Sequence, residues 1–474
     1  MGEATARNGL QELGSTLRAF GWKEGLALAA PAILLAGLAI GGLDLFSFWR
    51  DEIASVVFSK HSVRELLMVI DRERSKVGLA NMATYYLFLH FWLKLGEAEA
   101  QVRLLSVVFG ALTVIPVYFL ARRLANWPAG LAAALVFALH PVVIHYAYEA
   151  RGYSLAMLIT ASLTLLVLIA TERRSAWPWL AYGVIGALGL YVHFFIALVI
   201  AAHAGWVLAA RRFPGWLSAA AVTLPLVVAA APVPLIIRQY GGGHGWIADL
   251  SLHQLWVTMI SLSGGVLLLA ALGLAAVGAV ALRRRDPGTW LSVATFAVPI
   301  VADVIMSMWK PLLVARYLVI CLPPFAVLAG VGIVSLPRWP LRAPAALRAA
   351  AAVAVAAPLL LALPSAYADQ HGQDWRSLAA WIAEDAAPGD RLLIRRWGAR
   401  MLDFYLDRSD ADPRPKAISR AFADRPQPDA RVWLVLRVEA DVPDTVLLDL
   451  REHYDIVEQR EFGQALQAFL LGPR

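Results

Sequence analysis

The chain has 474 residues, 59% hydrophobic and only 16% charged, with a mean hydropathy of +0.61. Soluble domains carry about 25% charged residues, so the composition excludes a string of ordinary soluble domains and favours a membrane bundle. The net charge of +7 resides largely in short basic clusters between apolar segments, as in cytoplasmic turns, and no nucleic-acid partner is expected.

The first 24 or so residues are polar and mixed in charge. The apolar segment Leu26 to Leu45 follows and lacks a small-x-small cleavage site, so it reads as a retained span rather than a signal peptide. Spans of about 20 apolar residues are expected at 25–45, 100–121, 127–146, 153–171, 176–190, 191–210, 216–237, 252–282, 290–309, 312–334 and 345–364. Cys321, the single cysteine, lies in one of them; no internal disulfide or thiolate metal site is available.

The basic clusters Arg122-Arg123, Arg173-Arg174, Arg211-Arg212 and Arg283-Arg284-Arg285 fix a parity. With the N-terminus in the cytoplasm, Asp51-Glu52 falls outside and Arg122-Arg123 inside. The stretch Trp177 to Ala210 starts and ends at basic clusters, so two short spans turning near Gly189 to His193 fit; a single long tilted helix is the alternative. The turns at Glu149-Ala150-Arg151, at Arg238 to Leu250 and at Trp309-Lys310-Pro311 are then external. The C-terminal hundred residues are external too.

Three external turns collect chemistry-bearing residues. The first reads Phe48-Trp49-Arg50-Asp51-Glu52, then a weakly amphipathic piece from Arg64 to Ile70, then an aromatic piece, Asn81 to Gly96, expected to lie as an interfacial helix. Taken alone, Asp51-Glu52 is as compatible with a solvated boundary as with a site. The second runs from His140 through His145 and Glu149 to Arg151 and Tyr153; ionisable groups at a membrane segment are functional candidates, although Glu149 can simply pair with Arg151 or His145. The third is Lys310 to Arg316-Tyr317, where an arginine offers forked donors to a phosphate. The loop Gly241 to Trp246 is either a lid or a loose turn. Beyond Ala368 charge becomes dense: Trp375 to Glu384 has helical spacing, Arg391 to Ile394 and Val432 to Leu436 read as strands, and Pro413, Pro415, Pro426 and Pro428 bracket a looser connection. The tail lacks a phosphate-cradling glycine pattern and is expected to support or recognise rather than catalyse.

External carboxylates facing a basic, aromatic rim suit a phosphate-bearing lipid whose head reacts with an acceptor. The marks Asp51-Glu52, Tyr85-Tyr86, Arg103-Leu104-Leu105-Ser106, Glu149-Ala150-Arg151-Gly152-Tyr153, Tyr191-Val192-His193 and Arg316-Tyr317 stand in order around the spans. In them the sequence resembles the bacterial membrane glycosyltransferases of the GT-C fold, in the group of dolichyl-phosphate-mannose protein mannosyltransferases and lipid A aminoarabinose transferases (PMT-like). The span count, the parity and the tail's pattern together give a polytopic all-α bundle of about 11 transmembrane helices over residues 1–368, of the GT-C type by resemblance, with an external loop at 46–99, and a small extracytoplasmic α/β domain over 369–474. The resemblance implies a multi-pass protein of the bacterial inner membrane that transfers a sugar, with inversion, from a polyprenyl-phosphate donor to a lipid, glycan or protein acceptor. By resemblance Asp51 is the catalytic carboxylate, with Glu52 and Glu149 as further acids. Arg316, with Lys310, holds the donor phosphate, and Tyr85, Tyr86, Arg151, His193 and Tyr317 line the substrate site. Some relatives hold a divalent metal near the first-loop acid and others work without one; Asp51, Glu149 and His145 are the candidate ligands, with Glu52 and His140 also available. The segment Leu79 to Thr84 lacks the histidine or proline that relatives often carry before the tyrosine pair, which leaves the acceptor open. The rival reading is a polytopic transporter or flippase of lipid-linked saccharides, against which stand the absence of a clear internal repeat and the concentration of polar groups at external ends.

Overall fold

The computed structural model describes residues 21–67, 81–173, 175–230, 247–335, 345–369, 371–394, 396–408, 416–418, 430–437, 450 and 452–474. They divide into two compact units: one of 1–43 with 58–367, the other of 44–57 with 368–474. The expected loop at 241–246, the end of the amphipathic piece at 68–70 and the prolines at 413, 415, 426 and 428 lie outside the described residues.

The larger unit is helical. α1 (Trp22–Ile40) buries Ala27, Pro31, Leu35 and Ala39, four apart on one face. Its other faces expose Trp22, Leu26 and Ile33, and apolar side chains standing out on that scale mark a surface for lipid rather than water. Next along the chain come α2 (Arg50–Ser59), most of which belongs to the second unit, α3 (Val63–Leu67) and α4 (Ala83–Trp92), the expected short aromatic helix. α5 (Glu99–Leu124) is the longest and packs against α1, α6 (Trp127–Leu139) and α8 (Tyr153–Glu172). α6 starts on an Asn126 cap, whose Oδ1 accepts the Ala129 N–H at 3.1 Å, and stops at His140-Pro141. There the chain bends by 64° into α7 (Pro141–Ala147). Two separate helices, α9 (Trp177–Leu190) and α10 (Ile196–Ala209), span the awkward basic-to-basic stretch, with a turn at 191–195 between them. α11 (Trp216–Ala230) packs on α9.

α12 (Leu252–Ser263) and α13 (Val266–Leu282) form a second broken pair, bent by 78°. The break needs glycine: Gly264 has φ 75° and Gly265 φ 131°, the left-handed side that L side chains avoid. A Cβ at Gly264 would also lie 2.5 Å from Pro141 Cγ, so the two helix breaks touch. α14 (Pro287–Ser307) begins on Asp286, which accepts the Thr289 N–H and hydroxyl at 2.8 Å each. After the 3₁₀ turns Ala315–Tyr317 and Val319–Cys321, α15 (Leu322–Ser335) runs through the middle of the bundle. Its Gly330 and Gly332 face the backbones of Ala133 and Ala275, so a side chain at either would collide with a neighbouring helix. α16 (Ala345–Ala362) closes the unit.

Among the described residues four helices, α1, α5, α8 and α14, are long and apolar enough to cross a membrane, or six spans if each bent pair counts as one; α9, α10 and α11 are apolar but shorter. This is the architecture of a multi-pass membrane protein. Its buried polar groups are largely tied down. His203 illustrates how: Thr164 and Thr295 donate to their own helix carbonyls, so their oxygens are left to accept from His203 Nε2, at 3.3 and 3.0 Å. Tyr182 then donates to Nδ1 at 3.0 Å, which joins α8, α9, α10 and α14 through one neutral ring.

The second unit holds a five-stranded mixed sheet in the order β2-β1-β3-β5-β4: β1 (Arg391–Ile394), β2 (Lys416–Ile418), β3 (Val432–Arg437), β4 (Tyr454–Phe462) and β5 (Leu466–Pro473). β1 runs parallel to β2 and β3, while β5 is antiparallel to β3 and β4. α17 (Trp375–Asp385) and α18 (Arg396–Leu406) accompany it. Leu393, Val432, Leu434, Leu436, Tyr454 and Leu471 form a core. The segment 44–57 is built into this unit. Phe48 is fully buried, its N–H donates to Tyr405 Oη at 2.6 Å, and its ring meets Phe404 edge-on. Ser47 Oγ donates to Gln373 O at 2.9 Å and accepts the Trp375 N–H at 3.1 Å. Trp49 stacks on His371 with ring centroids 4.0 Å apart.

Candidate active site

The helical unit gathers polar residues at the break between α7 and α8. The chain turns tightly there, with the Arg151 N–H donating to Glu149 O at 2.7 Å. Ser154 Oγ donates to Tyr146 O at 2.8 Å and pins the turn to the start of α8. Gly152 permits a close approach here: a Cβ would sit 3.3 Å from Val192 Cγ1 and 3.4 Å from Tyr85 Cβ.

α4 is moored against the turn between α9 and α10. The Thr84 N–H donates to Tyr191 O at 3.1 Å, Thr84 Oγ1 donates to Leu188 O at 2.9 Å, and the Phe194 N–H donates to Asn81 Oδ1 at 3.3 Å. This mooring brings Tyr85 and Tyr86 to the α7–α8 turn. Tyr85 Oη lies 3.0 Å from Ser106 Oγ, Ser106 Oγ lies 3.3 Å from Arg151 O, and Arg151 Nη1 donates to Tyr86 Oη at 3.3 Å. The Arg151 guanidinium is 6.0 Å from the Tyr153 ring, and that of Arg316 is 5.9 Å from the Tyr317 ring. His193 stands between those two rings, its centroid 6.4 Å from Tyr153 and 5.4 Å from Tyr317. The Arg151 and Arg316 charges both reach His193. Glu149 is 5% exposed, and its charge and that of Arg316 both act on Tyr146. Tyr85, Tyr86, Glu149, Arg151, His193, Arg316 and Tyr317 thus converge from four separate stretches of chain. The cluster is two guanidiniums and one carboxylate in an aromatic wall, an arrangement suited to an anion.

Lys310 does not join it: it is exposed on the irregular segment after α14, and among the described residues no hydrogen bond or ion pair engages its side chain. Arg103, one of the marks of resemblance, serves the framework, with Nη1 donating to Leu43 O at 2.6 Å and lying 3.8 Å from Glu99.

Asp51 and Glu52 belong to the second unit. They differ sharply: the Asp51 side chain is 22% exposed and lies 3.6 Å from Arg50, whereas Glu52 is 1% exposed and accepts the Trp49 N–H at 3.4 Å. Asp51 is the more accessible carboxylate, and Glu52 holds the start of α2.

Among the described residues no group of three or more His, Cys, Asp or Glu side chains is placed to hold an ion. His145 is engaged in packing: its Nδ1 lies 2.9 Å from Tyr148 Oη, which itself donates to Ala366 O at 2.5 Å. His145 thereby ties α7 to the 3₁₀ turn Leu363–Tyr367 that follows α16.

Two residues escaped sequence reasoning. Ser106 appeared only as part of a motif, and its bridging of Tyr85 to the Arg151 carbonyl depends on the mooring of α4. Asp303 is fully buried in α14 with neither carboxyl oxygen hydrogen-bonded; the available signal was a lone acid in an apolar span.

The comparisons with known proteins agree with this architecture. Residues 82–237 match the family model described as dolichyl-phosphate-mannose-protein mannosyltransferase. No curated protein matches the chain significantly by sequence. Among solved structures, ArnT from Cupriavidus metallidurans in the apo state superposes with a TM-score of 0.58 at 14% identity, over 95% of this chain and 98% of that one. The same protein bound to undecaprenyl phosphate gives 0.58 at 16% identity, over 95% and 98%. The Archaeoglobus fulgidus oligosaccharyltransferase in the apo form gives 0.53 at 12% identity, over 88% of this chain and 70% of that one. At such identities the likeness establishes the fold. The chain has the GT-C fold of the membrane glycosyltransferases, with residues 82–237 matching the dolichyl-phosphate-mannose-protein mannosyltransferase model within it.

Proposed function

We propose that the protein is a glycosyltransferase that moves a sugar from a polyprenyl-phosphate donor to a lipid, glycan or protein acceptor of the cell envelope. The observation that carries the reading is the convergence of Arg151 and Arg316 on one buried aromatic cluster, in a fold that ArnT presents bound to undecaprenyl phosphate. Two guanidiniums match a leaving phosphate, whose charge grows as its bond to the sugar carbon breaks. Tyr86 steadies the Arg151 side chain, and Ser106 and Tyr85 steady its carbonyl. Asp51, the carboxylate that the sequence resemblance singles out, takes the proton from the acceptor hydroxyl as the new carbon–oxygen bond forms and the bond to phosphate breaks, with inversion at the anomeric carbon. Glu149 offsets part of the positive charge near the arginines. The reaction takes place on the outer side of the inner membrane.

The test is transfer of a labelled sugar from polyprenyl-phosphate donors to acceptors in a membrane extract. Asp51→Asn lowers transfer by about 10²–10⁴-fold, the usual range for a lost proton acceptor, while the amount of protein in the membrane is unchanged. A fully active variant would sink the role of Asp51. Carriage of lipid-linked sugar across vesicles without any labelled acceptor would favour a transporter instead.

A further inference from the structure

His193 lies in the turn between α9 and α10 and is 3% exposed. Its Nδ1 accepts the Phe195 backbone N–H at 3.2 Å. A ring nitrogen that accepts a hydrogen bond carries no proton, so the proton of this imidazole sits on Nε2. Among the described residues that Nε2 has no hydrogen-bond partner. A buried donor left unpaired costs about 1–3 kcal/mol, and the ring cannot easily turn away to relieve it. Phe195 at 5.2 Å and Tyr317 at 5.4 Å pack against it, with Tyr153 at 6.4 Å.

The surroundings narrow what can meet this donor. The charges of Arg151 and Arg316 both reach the ring, so a cation is repelled. A metal ion would need a bare Nε2, which requires moving the proton to Nδ1 and losing the Phe195 bond. An oxyanion satisfies the Nε2–H and both guanidinium groups together.

We propose that His193 is the uncharged third donor of the phosphate site, its Nε2–H meeting a phosphate oxygen of the lipid donor that Arg151 and Arg316 hold. The inference rests on the reading of this cluster as a polyprenyl-phosphate site and adds a defined role for the imidazole. The ring neither gives up nor gains a proton during transfer. It orients the phosphate, because its donor points from a turn fixed by backbone bonds rather than from a flexible side chain.

Two amide substitutions separate the two ring nitrogens. In His193→Asn the amide oxygen can replace Nδ1 as acceptor for Phe195, but nothing reaches the Nε2 position. In His193→Gln the longer amide places an N–H donor where Nε2 stood. The full-length, detergent-solubilised protein is titrated with undecaprenyl phosphate, undecaprenol and inorganic phosphate, and binding is read as a thermal shift. The expected order is tight binding of undecaprenyl phosphate by the native protein, about tenfold or more weaker binding by the Asn variant, and recovery of most of the affinity by the Gln variant. Undecaprenol binding is the same in all three. Equal undecaprenyl phosphate affinity in the native and Asn proteins overturns the role of His193 and leaves the phosphate site standing. A native protein that binds undecaprenyl phosphate no better than undecaprenol overturns the phosphate site itself, and this inference with it. Binding of inorganic phosphate as tight as that of the phospholipid would identify a free-anion site and overturn the lipid assignment. The pH profiles of transfer by the native and Gln proteins should coincide between about pH 6 and 8, either side of the ordinary imidazole value; a limb present only in the native protein would make His193 a titrating acid or base and overturn the fixed neutral ring.

Discussion

Arg316 was legible as a candidate from one fact, an arginine in an apolar stretch, because such a charge is expensive without a partner. Its neighbour in function, Arg151, lies 165 residues earlier by the numbering, and nothing local announces that the two converge. Arg316→Ala is expected to raise the KM for the lipid donor about tenfold or more, from loss of a charge-assisted contact, and to leave the KM for the acceptor nearly unchanged; steady-state kinetics with each substrate varied in turn decide it. Asp390 offers a separate test in the second unit. Burial alone would raise its pKa, but Arg431 at 2.7 and 3.0 Å, the Ala387 N–H at 3.0 Å and Trp433 Nε1 at 2.9 Å outweigh that and hold the carboxyl below its usual range. A carboxyl lowered on folding stabilises above the unfolded value, about 4, and that stabilisation is lost as the pH falls through the unfolded and then the folded pKa. Asp390→Asn therefore lowers the unfolding temperature of the sheet unit at pH 7, and the gap to the native protein closes toward pH 3; thermal melts across that window measure it.

The helices were largely legible, since apolar runs of sufficient length report themselves. The strands at Arg391–Ile394 and Val432–Arg437 were legible as well, from short apolar runs, the first following the turn Ala387-Pro388-Gly389-Asp390. Hidden in the pattern were the breaks. Residues 127–146 and 252–282 read as unbroken spans, yet each is bent, at His140-Pro141 and at Gly264-Gly265. The proline and glycines were visible, but such residues are tolerated in membrane helices, and the contact between the two bends is a tertiary fact. The same holds for the middle of α15. Gly332→Val forces a side chain into the backbone of Ala275 on α13; it should destabilise the bundle by about 1–3 kcal/mol or more and show as a lower melting temperature of the detergent-solubilised protein. Gly273→Ala on α13, where a Cβ meets nothing within 4 Å, is the control expected to melt as the native protein does.

At the scale of the molecule, the composition assigns the chain to the membrane and the basic clusters give its proposed orientation. A reporter fused after Arg474 should be active on the outer side of the membrane and silent in the cytoplasm; the opposite result breaks the eleven-span parity. Charge density rises near residue 368 in the sequence, and residues 368–474 contribute the helices and strands of the second unit. The grouping of residues 44–57 with the C-terminal unit was not visible. Phe48 and Ser47 look like ordinary loop residues until Tyr405, Gln373 and Trp375 are found bonded to them. What could be read residue by residue was whatever depends on exchange with water or lipid: the apolar spans, the polar tail and the costly charges. Which of those charges meet depends on turns and moorings between segments distant in the chain, such as Thr84 on Tyr191 and Ser106 on Arg151. Those pairings form only when the folded backbone brings the segments together, and no local pattern of residues encodes them.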